Sequence, residues 1–414
     1  MNPLKFSRET LLSCLALAAS SLLILYCAPA QYLGRQQDDL LYIISSHALS
    51  SGHYRLFTVP GSPPLLMISP GFPALLLPLT WFAGERYGLY QAFSALIMAA
   101  IPWFLWAWLK KKTDHLSALF IAVLFATSPL ILIQSGTVMS EGPYLLITLA
   151  LLTALDRPDA GILRGALALL LTQVRHAGLS MMPAMLLRPI LKKRWKETAW
   201  MSTLPLSGMI LWTLWSRSVS TSHQINFRLW ELMLSYGGQA GTRAWLVVLD
   251  NAQYYLGSWG SCYLPIALAD GPAAVILGAS LGVASIIGSI RLLRQDLAEP
   301  VVLMLAGALI LHALWPYQYQ RYLIPLLPWL LLTAALGFGR RGCAALALLL
   351  AAQLGFETRP WLMGPNSWTS VELQQTYGWI KSHSSPSDIL ASPMPVRDGF
   401  YATRPGLPLP DEKD

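Results

Sequence analysis

Residues 11–30 read LLSCLALAASSLLILYCAPA, and residues 34–42 read GRQQDDLLY. The first stretch holds 20 residues without a charge, the length an α-helix needs to cross about 30 Å of hydrocarbon. The second sets Asp38 and Asp39 side by side just beyond that helix, and Arg35 is the only permanent cation within ten residues on either side. Ionisable groups at a membrane boundary without evident partners are candidates for function. A plainer account makes the pair the N-terminus of an interfacial helix running to Ser51, where carboxylates suit free N–H groups and the helix dipole. The pair alone weighs both accounts equally; the rest of the chain favours chemistry.

Of the 414 residues, 54% are hydrophobic and only 12% are charged, with 16 Trp and 16 Tyr. Soluble domains carry about 25% charged residues, so the chain reads as an all-α polytopic membrane protein. Apolar runs predict about 11 transmembrane helices (10–13 by the same rule) near 9–30, 87–109, 115–134, 138–155, 160–174, 177–190, 198–216, 264–290, 298–316, 322–338 and 342–356. The 160–190 stretch reads as two short spans or a broken hairpin. Ala28-Pro29-Ala30 resembles a signal-peptidase site, but the long apolar run leading into a polytopic chain favours an uncleaved first span.

Basic residues set the expected orientation. With the N-terminus inside, one side collects Lys5 and Arg8, Lys110-Lys111-Lys112, Arg157 and Arg164, Arg188, and Lys192-Lys193-Arg194 with Lys196. Arg291, Arg294, Arg340 and Arg341 join them, as the positive-inside rule requires. The net charge of +8 is therefore a topology signal and not a nucleic-acid footprint, since the cations sit at helix ends rather than along one face. The same count argues against a full span in 69–83, because a crossing there would place Lys110–Lys112 outside. Residues 31–86 are expected as one long external loop whose Pro-rich part is re-entrant or interfacial, lining a cavity. A second external loop covers 217–263, with His223, Asn226, Arg228, Trp230, Glu231, Gly237-Gly238 and Tyr254-Tyr255. Residues 1–356 form the membrane domain, and 357–414 a small external region with a helix over 371–382, a strand near 388–390 and a frayed end from Pro405. The four cysteines, Cys14, Cys27, Cys262 and Cys343, match no metal or disulfide pattern.

Polar residues at the external helix ends supply the candidate site. Glu141 opens the fourth span, Arg175 and His176 occupy the next external turn, and Tyr317, Arg321 and Tyr322 lie between spans nine and ten. Singly, these residues suit ordinary roles: snorkelling arginines, an aromatic belt, a capping glutamate and an interfacial histidine with no partner at ligand spacing. Gathered on one face beside Asp38 and Asp39, they suit an anionic lipid headgroup, because arginine matches phosphate bidentately.

Three segments resemble the C-type (GT-C) membrane glycosyltransferases, the superfamily that includes the protein O-mannosyltransferases and the lipid A aminoarabinose transferases. Asp38-Asp39-Leu40-Leu41-Tyr42, followed by Gly52-His53-Tyr54 and a proline-rich stretch, is similar to the family's first external loop. Ser140-Glu141, followed by Arg175, Gly178 and Pro183, resembles the middle of that fold. Residues 320–328, QRYLIPLLP, resemble its Arg-Tyr-Leu-x-Pro-x-x-Pro segment. The likeness covers about residues 1–330, and it departs where Asp39 stands in place of the family's more usual Glu.

The resemblance implies inverting transfer of a sugar from a polyprenyl-phosphate donor to a hydroxyl acceptor, with the active site on the external face of the plasma (inner) membrane. Asp38 is then the candidate general base. Asp39 is the second catalytic carboxylate, which together with Glu141 and His176 orients the acceptor or a metal. Arg321, Arg175, Tyr322 and Tyr317 hold the donor phosphate, whose charge grows as the bond breaks. No cofactor is indicated with certainty; a divalent cation stays open, since no complete ligand set is legible. The partners implied are the donor, the acceptor and the bilayer. Two other readings stand beside this one. A lipid-linked-sugar flippase also needs a carboxylate-and-arginine cavity, but the chain lacks the paired halves that transporters usually show. An O-antigen polymerase or ligase would suit loop 217–263 but leaves the Asp pair without a role.

Overall fold

Asp38 and Asp39 begin a helix, as capping chemistry predicts, and that helix is one of many. The computed structural model describes residues 8–28, 33–34, 36, 38–84, 86–157, 160–219, 244–264, 266–315, 317–355 and 371–409. Arg35, Gln37, Pro29-Ala30, Pro316, most of the expected external loop (220–243, with His223, Asn226, Arg228, Trp230, Glu231 and Gly237-Gly238), the start of the tail (356–370) and its end (410–414) lie outside the described residues.

The chain is mostly helical. In order come α1 (Arg8–Cys27), α2 (Asp38–Ser50), α3 (Gly71–Ala83), α4 (Tyr87–Leu109), α5 (His115–Thr127), α6 (Pro129–Gln134), α7 (Glu141–Leu155) and α8 (Gly161–Val174). Then follow α9 (Met182–Leu191), α10 (Trp195–Val219), α11 (Ala244–Ser261), α12 (Pro272–Gln295), α13 (Pro300–Leu314), α14 (Leu327–Phe338) and α15 (Gly342–Gly355). Among the described residues, four helical stretches are long and apolar enough to cross a membrane: Arg8–Cys27, Tyr87–Leu109, Pro272–Gln295 and Leu327–Leu354. Five shorter apolar helices, α3, α5, α7, α8 and α13, accompany them. At 1.5 Å per residue, a 13- to 15-residue helix reaches only about 20–22 Å, so length alone does not make these spans.

Several expected boundaries move. The run 115–134 breaks at Ser128, because Pro129 cannot donate into a continuing helix and instead starts α6 at its first position. The stretch 160–190 resolves into α8 and α9, joined by a 3₁₀ turn over His176–Met181. The span expected at 264–290 starts at Pro272, and the loop expected at 217–263 contributes α11. Segment 69–83, expected to be re-entrant or interfacial, forms the 13-residue apolar helix α3 with Pro78 inside it.

Helices meet where side chains are smallest. Gly260 of α11 faces the Ala274 carbonyl of α12, and Gly278 of α12 faces the Leu256 carbonyl of α11. Further along α12, Gly288 lies on the Thr333 carbonyl of α14, Gly337 lies on the Ala284 carbonyl, and Ser285 shares a 2.6 Å hydrogen bond with Thr333. Hydrophobic driving force is absent between helices in lipid, so backbone approach through small residues and buried hydroxyl pairs supplies the attraction. Buried Trp329 and Trp108 meet edge-on at 5.2 Å.

The tail is a small unit: helix α16 (Val371–His383), then strand β1 (Leu390–Ser392), helix α17 (Pro395–Ala402) and strand β2 (Gly406–Pro408). The strands pair in parallel, with Leu390 opposite Gly406. This unit docks on the first loop. Tyr401 donates to the Leu33 carbonyl at 2.9 Å, the Gly406 N–H donates to the Thr58 carbonyl at 2.8 Å, and Phe400 packs on Tyr87 at 4.8 Å.

A side chain at Gly288 has no room, so Gly288→Leu should lower the detergent-solubilised melting temperature, with a cost of roughly 1–3 kcal/mol or more. Gly88→Ala in α4, where an added Cβ meets nothing within 4 Å, is the matched control and should leave melting unchanged or slightly raised.

Candidate functional site

Adjacent residues of one helix point apart, and the acidic pair divides accordingly. Asp39 turns inward and is fully buried: one carboxylate oxygen accepts the Gly34 N–H and the other its neighbour Leu40's N–H, both at 2.9 Å. Gly34 holds φ +97°, a left-handed conformation that favours glycine, with Arg397 of the tail packed against it. Burial pushes the Asp39 carboxyl up to about 6, although the two N–H groups and Arg321 pull the other way. Asp39 therefore fastens the turn that leads into α2.

Asp38 faces outward, with 42% of its side chain exposed, and its carboxylate pairs with Arg321. The two positions are separated by 283 residues in sequence. Gln36 accepts a second, weaker hydrogen bond from Arg321 at 3.3 Å. The Arg321 side chain is only 7% exposed, and its Nε lies 3.8 Å from Glu141. Glu141, 2% exposed, sits 2.7 Å from Arg175 Nη1. The result is a row of alternating charge: Asp38, Arg321, Glu141, Arg175. Burial opposes the charge on each arginine, yet Glu141, joined at Arg321 by Asp38, raises both above the ordinary guanidinium pKa. Both remain cations at any physiological pH.

The contact between Arg175 and Glu141 is ionic more than directional. The Arg175 Nη1 hydrogen bond goes to Ser140 Oγ at 3.0 Å, and neither Glu141 oxygen receives an aligned donor among the described residues. Ser140 Oγ in turn shares a 2.9 Å hydrogen bond with the Tyr42 hydroxyl, whose pKa burial raises to about 12. Tyr319 and Tyr322 form the aromatic wall: Arg321 lies 4.8 Å from the Tyr319 ring and 5.7 Å from Tyr322, and Arg175 lies 5.5 Å from the Tyr322 ring. Such cation–π contacts suit guanidinium planes that must also face an anion.

Beside this network opens a cavity of about 240 Å³. Arg175, His176, His312, Ser69, Tyr42 and Tyr322 supply its polar lining, while Met67, Ile68, Leu311 and Trp315 are among its apolar walls. The His176 ring is buried, which lowers its pKa and favours the neutral imidazole, and its Nε2 has no hydrogen-bond partner among the described residues. A cavity with one cationic end and an apolar flank suits a molecule with an anionic head and a hydrocarbon tail.

The structure thus joins Asp38, Arg321, Glu141, Arg175 and Tyr322 in one network and puts His176 beside it. Asp39 stands one layer behind, and Tyr317 stacks on Tyr319 at 6.5 Å, further from the charges. Among the described residues, no group of three His, Cys, Asp or Glu side chains is placed to hold a metal ion. Sequence reasoning passed over Gln36, Tyr319, His312, and the tail pair Arg397 and Tyr401. Tyr319 was within reach, since it stands two residues before the arginine of the QRYL segment; Arg397 and Tyr401 carried no local signal at all.

Removing Glu141 would leave two buried arginines facing each other. Glu141→Ala should therefore destabilise the solubilised protein by about 3–5 kcal/mol, the usual cost of breaking a buried pair. Glu141→Asp, which keeps the charge, should recover part of that loss in the same thermal unfolding measurement. No protein-family model matches this sequence, and a search of curated proteins returns no match to it.

Proposed function

We propose that this chain is an inverting glycosyltransferase that moves a sugar from a polyprenyl-phosphate donor to a hydroxyl acceptor at the external face of the inner membrane. The observation that carries the reading is the convergence of Asp38, Glu141, Arg175 and Arg321 beside an amphipathic cavity. The three segments that resemble the C-type glycosyltransferases are the same segments that meet there. In this reading the membrane domain has about eleven crossings, some of them made by short or tilted helices, and the tail covers the acidic loop from outside.

The chemistry follows from the charges. Arg321 is engaged by Asp38. A donor phosphate competes for that guanidinium and for Arg175, which frees the Asp38 carboxylate to accept the acceptor's hydroxyl proton. The acceptor oxygen then attacks the anomeric carbon from the face opposite the phosphate. The bond from that carbon to the phosphate oxygen breaks, and its electron pair leaves with the lipid phosphate. Arg321 and Arg175 stabilise the charge that grows there, and such pre-positioned groups often supply the largest catalytic contribution. Glu141 keeps both arginines in place and prevents their mutual repulsion. Asp39 holds the turn from which Asp38 projects. A divalent cation, if used, would have to complete its ligand set with donor or solvent oxygens.

Purified protein is incubated with polyprenyl-phosphate sugars and an acceptor extract, and released polyprenyl phosphate is measured. Asp38→Asn should cut release by roughly 10²–10⁴-fold with donor binding retained. Arg321→Lys keeps the charge but loses the planar fork, so turnover should fall more than donor affinity. Undiminished release from the Asn variant would remove Asp38 as base. Movement of intact donor across proteoliposomes, with no release under any acceptor condition, would replace the enzyme with a flippase.

Orientation is checked separately by thiol labelling in a background without the native cysteines. A cysteine at exposed Ser387 should react with a membrane-impermeant reagent in intact spheroplasts, and one at Lys111 should not. The reverse pattern would put the site in the cytoplasm.

A further inference from the structure

Helices α7 and α8 carry the charge network at one end and frame a second cavity, of about 280 Å³, at the other. Arg175 follows the last residue of α8 and Arg164 lies in its first turn, so the two are separated by roughly 16 Å along the axis at 1.5 Å per residue. Five cations line this second cavity: Arg157, Arg164, Arg188, Lys192 and Arg194. Only two carboxylates, Asp156 and Glu197, share the wall.

The cations come from separate segments, the turn after α7, the start of α8, and the α9–α10 corner, where Lys193 adopts a φ of 53°. A topology signal requires basic residues on one side of the membrane; it does not require them to converge on a cavity. Part of the charge is internally matched. Buried Arg164 donates to Glu197 at 2.7 Å, to the Ala154 carbonyl at 2.9 Å and to the Arg157 carbonyl, and Arg188 pairs with Asp296. Arg194 reaches the already engaged Glu197 at 3.3 Å. Among the described residues, Arg157 and Lys192 enter no salt bridge. The cavity therefore keeps an excess of positive charge on a framework fixed by Arg164.

The surroundings point to the class of anion. Ile162 and Leu163 of α8 and Ile190 and Leu191 of α9 are exposed next to the cations, as are Trp195 and Trp200 of α10. Exposed aliphatic side chains beside indoles mark the boundary between hydrocarbon and headgroups. Basic pockets between helices at that level bind anionic lipid headgroups. We infer that this cavity binds the phosphate of an anionic phospholipid, with the acyl chains lying along the exposed faces of α8 and α9. A free phosphate ion shares the headgroup chemistry but gains nothing from the apolar flank.

The test titrates purified, detergent-solubilised protein with phosphatidylglycerol and with phosphatidylcholine, counting bound lipid by native mass spectrometry. The triple variant Arg157→Gln, Lys192→Gln, Arg194→Gln is compared with Lys110→Gln, Lys111→Gln, Arg340→Gln, which removes as much charge elsewhere on the basic residues' side. Each cation near an anionic headgroup is worth roughly a five-fold factor, so the first triple should bind phosphatidylglycerol on the order of 100-fold more weakly. The single variant Lys192→Gln, at an exposed position, should lose about five-fold, which guards against a folding defect in the triple. Phosphatidylcholine binding and the control triple should change little. Equal losses in both triples would reduce the effect to general surface charge and overturn the site. Displacement of the lipid by millimolar inorganic phosphate would overturn the lipid assignment and give the cavity to a free anion.

Discussion

Two guanidinium groups share one buried carboxylate, and the placement of the site depends on that arrangement. Arg175 and Arg321 come from different hairpins and would repel each other in a low-dielectric interior. Glu141 between them makes their proximity tolerable, and Asp38 closes the row at its exposed end. Because every member except Asp38 is largely buried, none can turn away to water without leaving a neighbour uncompensated. Electrostatic neutrality thus fixes the relative positions of the first loop, the start of α7, the end of α8 and the 3₁₀ turn Gln320–Leu323 before α14. That constraint leaves the Asp38 carboxylate exposed and sets Arg175 in the wall of the neighbouring cavity.

The helices around the network are held by a different physics. Lipid is as apolar as leucine, so association rests on close backbone approach, and α11, α12 and α14 achieve it through Gly260, Gly278, Gly288 and Gly337. Several helices near the site are short. A helix that ends early leaves its terminal N–H and C=O groups and its first-turn side chains among its neighbours, and Glu141 and Arg175 stand at such ends. Short helices and buried charge therefore belong together: the broken ends supply polar partners that a continuous span would lack. The tail adds a clamp, fastening Leu33 and Gly34 through Tyr401 and Arg397, so that the turn carrying Asp38 is gripped from both sides.

Much of this was legible in the chain itself. The Asp pair marked the start of α2 to the residue, because carboxylates favour a helix N-terminus, and the helix in the tail appeared where Val371 to Ser382 suggested it. Proline placed the break between α5 and α6, although the apolar run hid it, since hydrophobicity averages over a window while a missing N–H acts at one residue. Helix α11 was hidden for the opposite reason. Its residues mix Asp250, Asn251 and Gln253 with aromatics, so it reads as a loop until α12 offers its glycine face.

The sequence by itself determined the apolar, helical membrane class and which charged and aromatic residue types stand at the helix ends. Those properties are sums over composition or over a few neighbouring positions. Only the tertiary structure decided which charges meet. Asp39 and Asp38 are chemically alike and adjacent, yet one became a buried fastening for the Gly34 turn and the other the exposed partner of Arg321. Nothing local distinguishes them; the direction in which α2 packs does. The same holds for the basic residues at the far end of α7 and α8, which are individually a topology signal and become a cavity only when three segments converge. Pairing between residues hundreds of positions apart depends on the path of the whole backbone, and no window of sequence contains it.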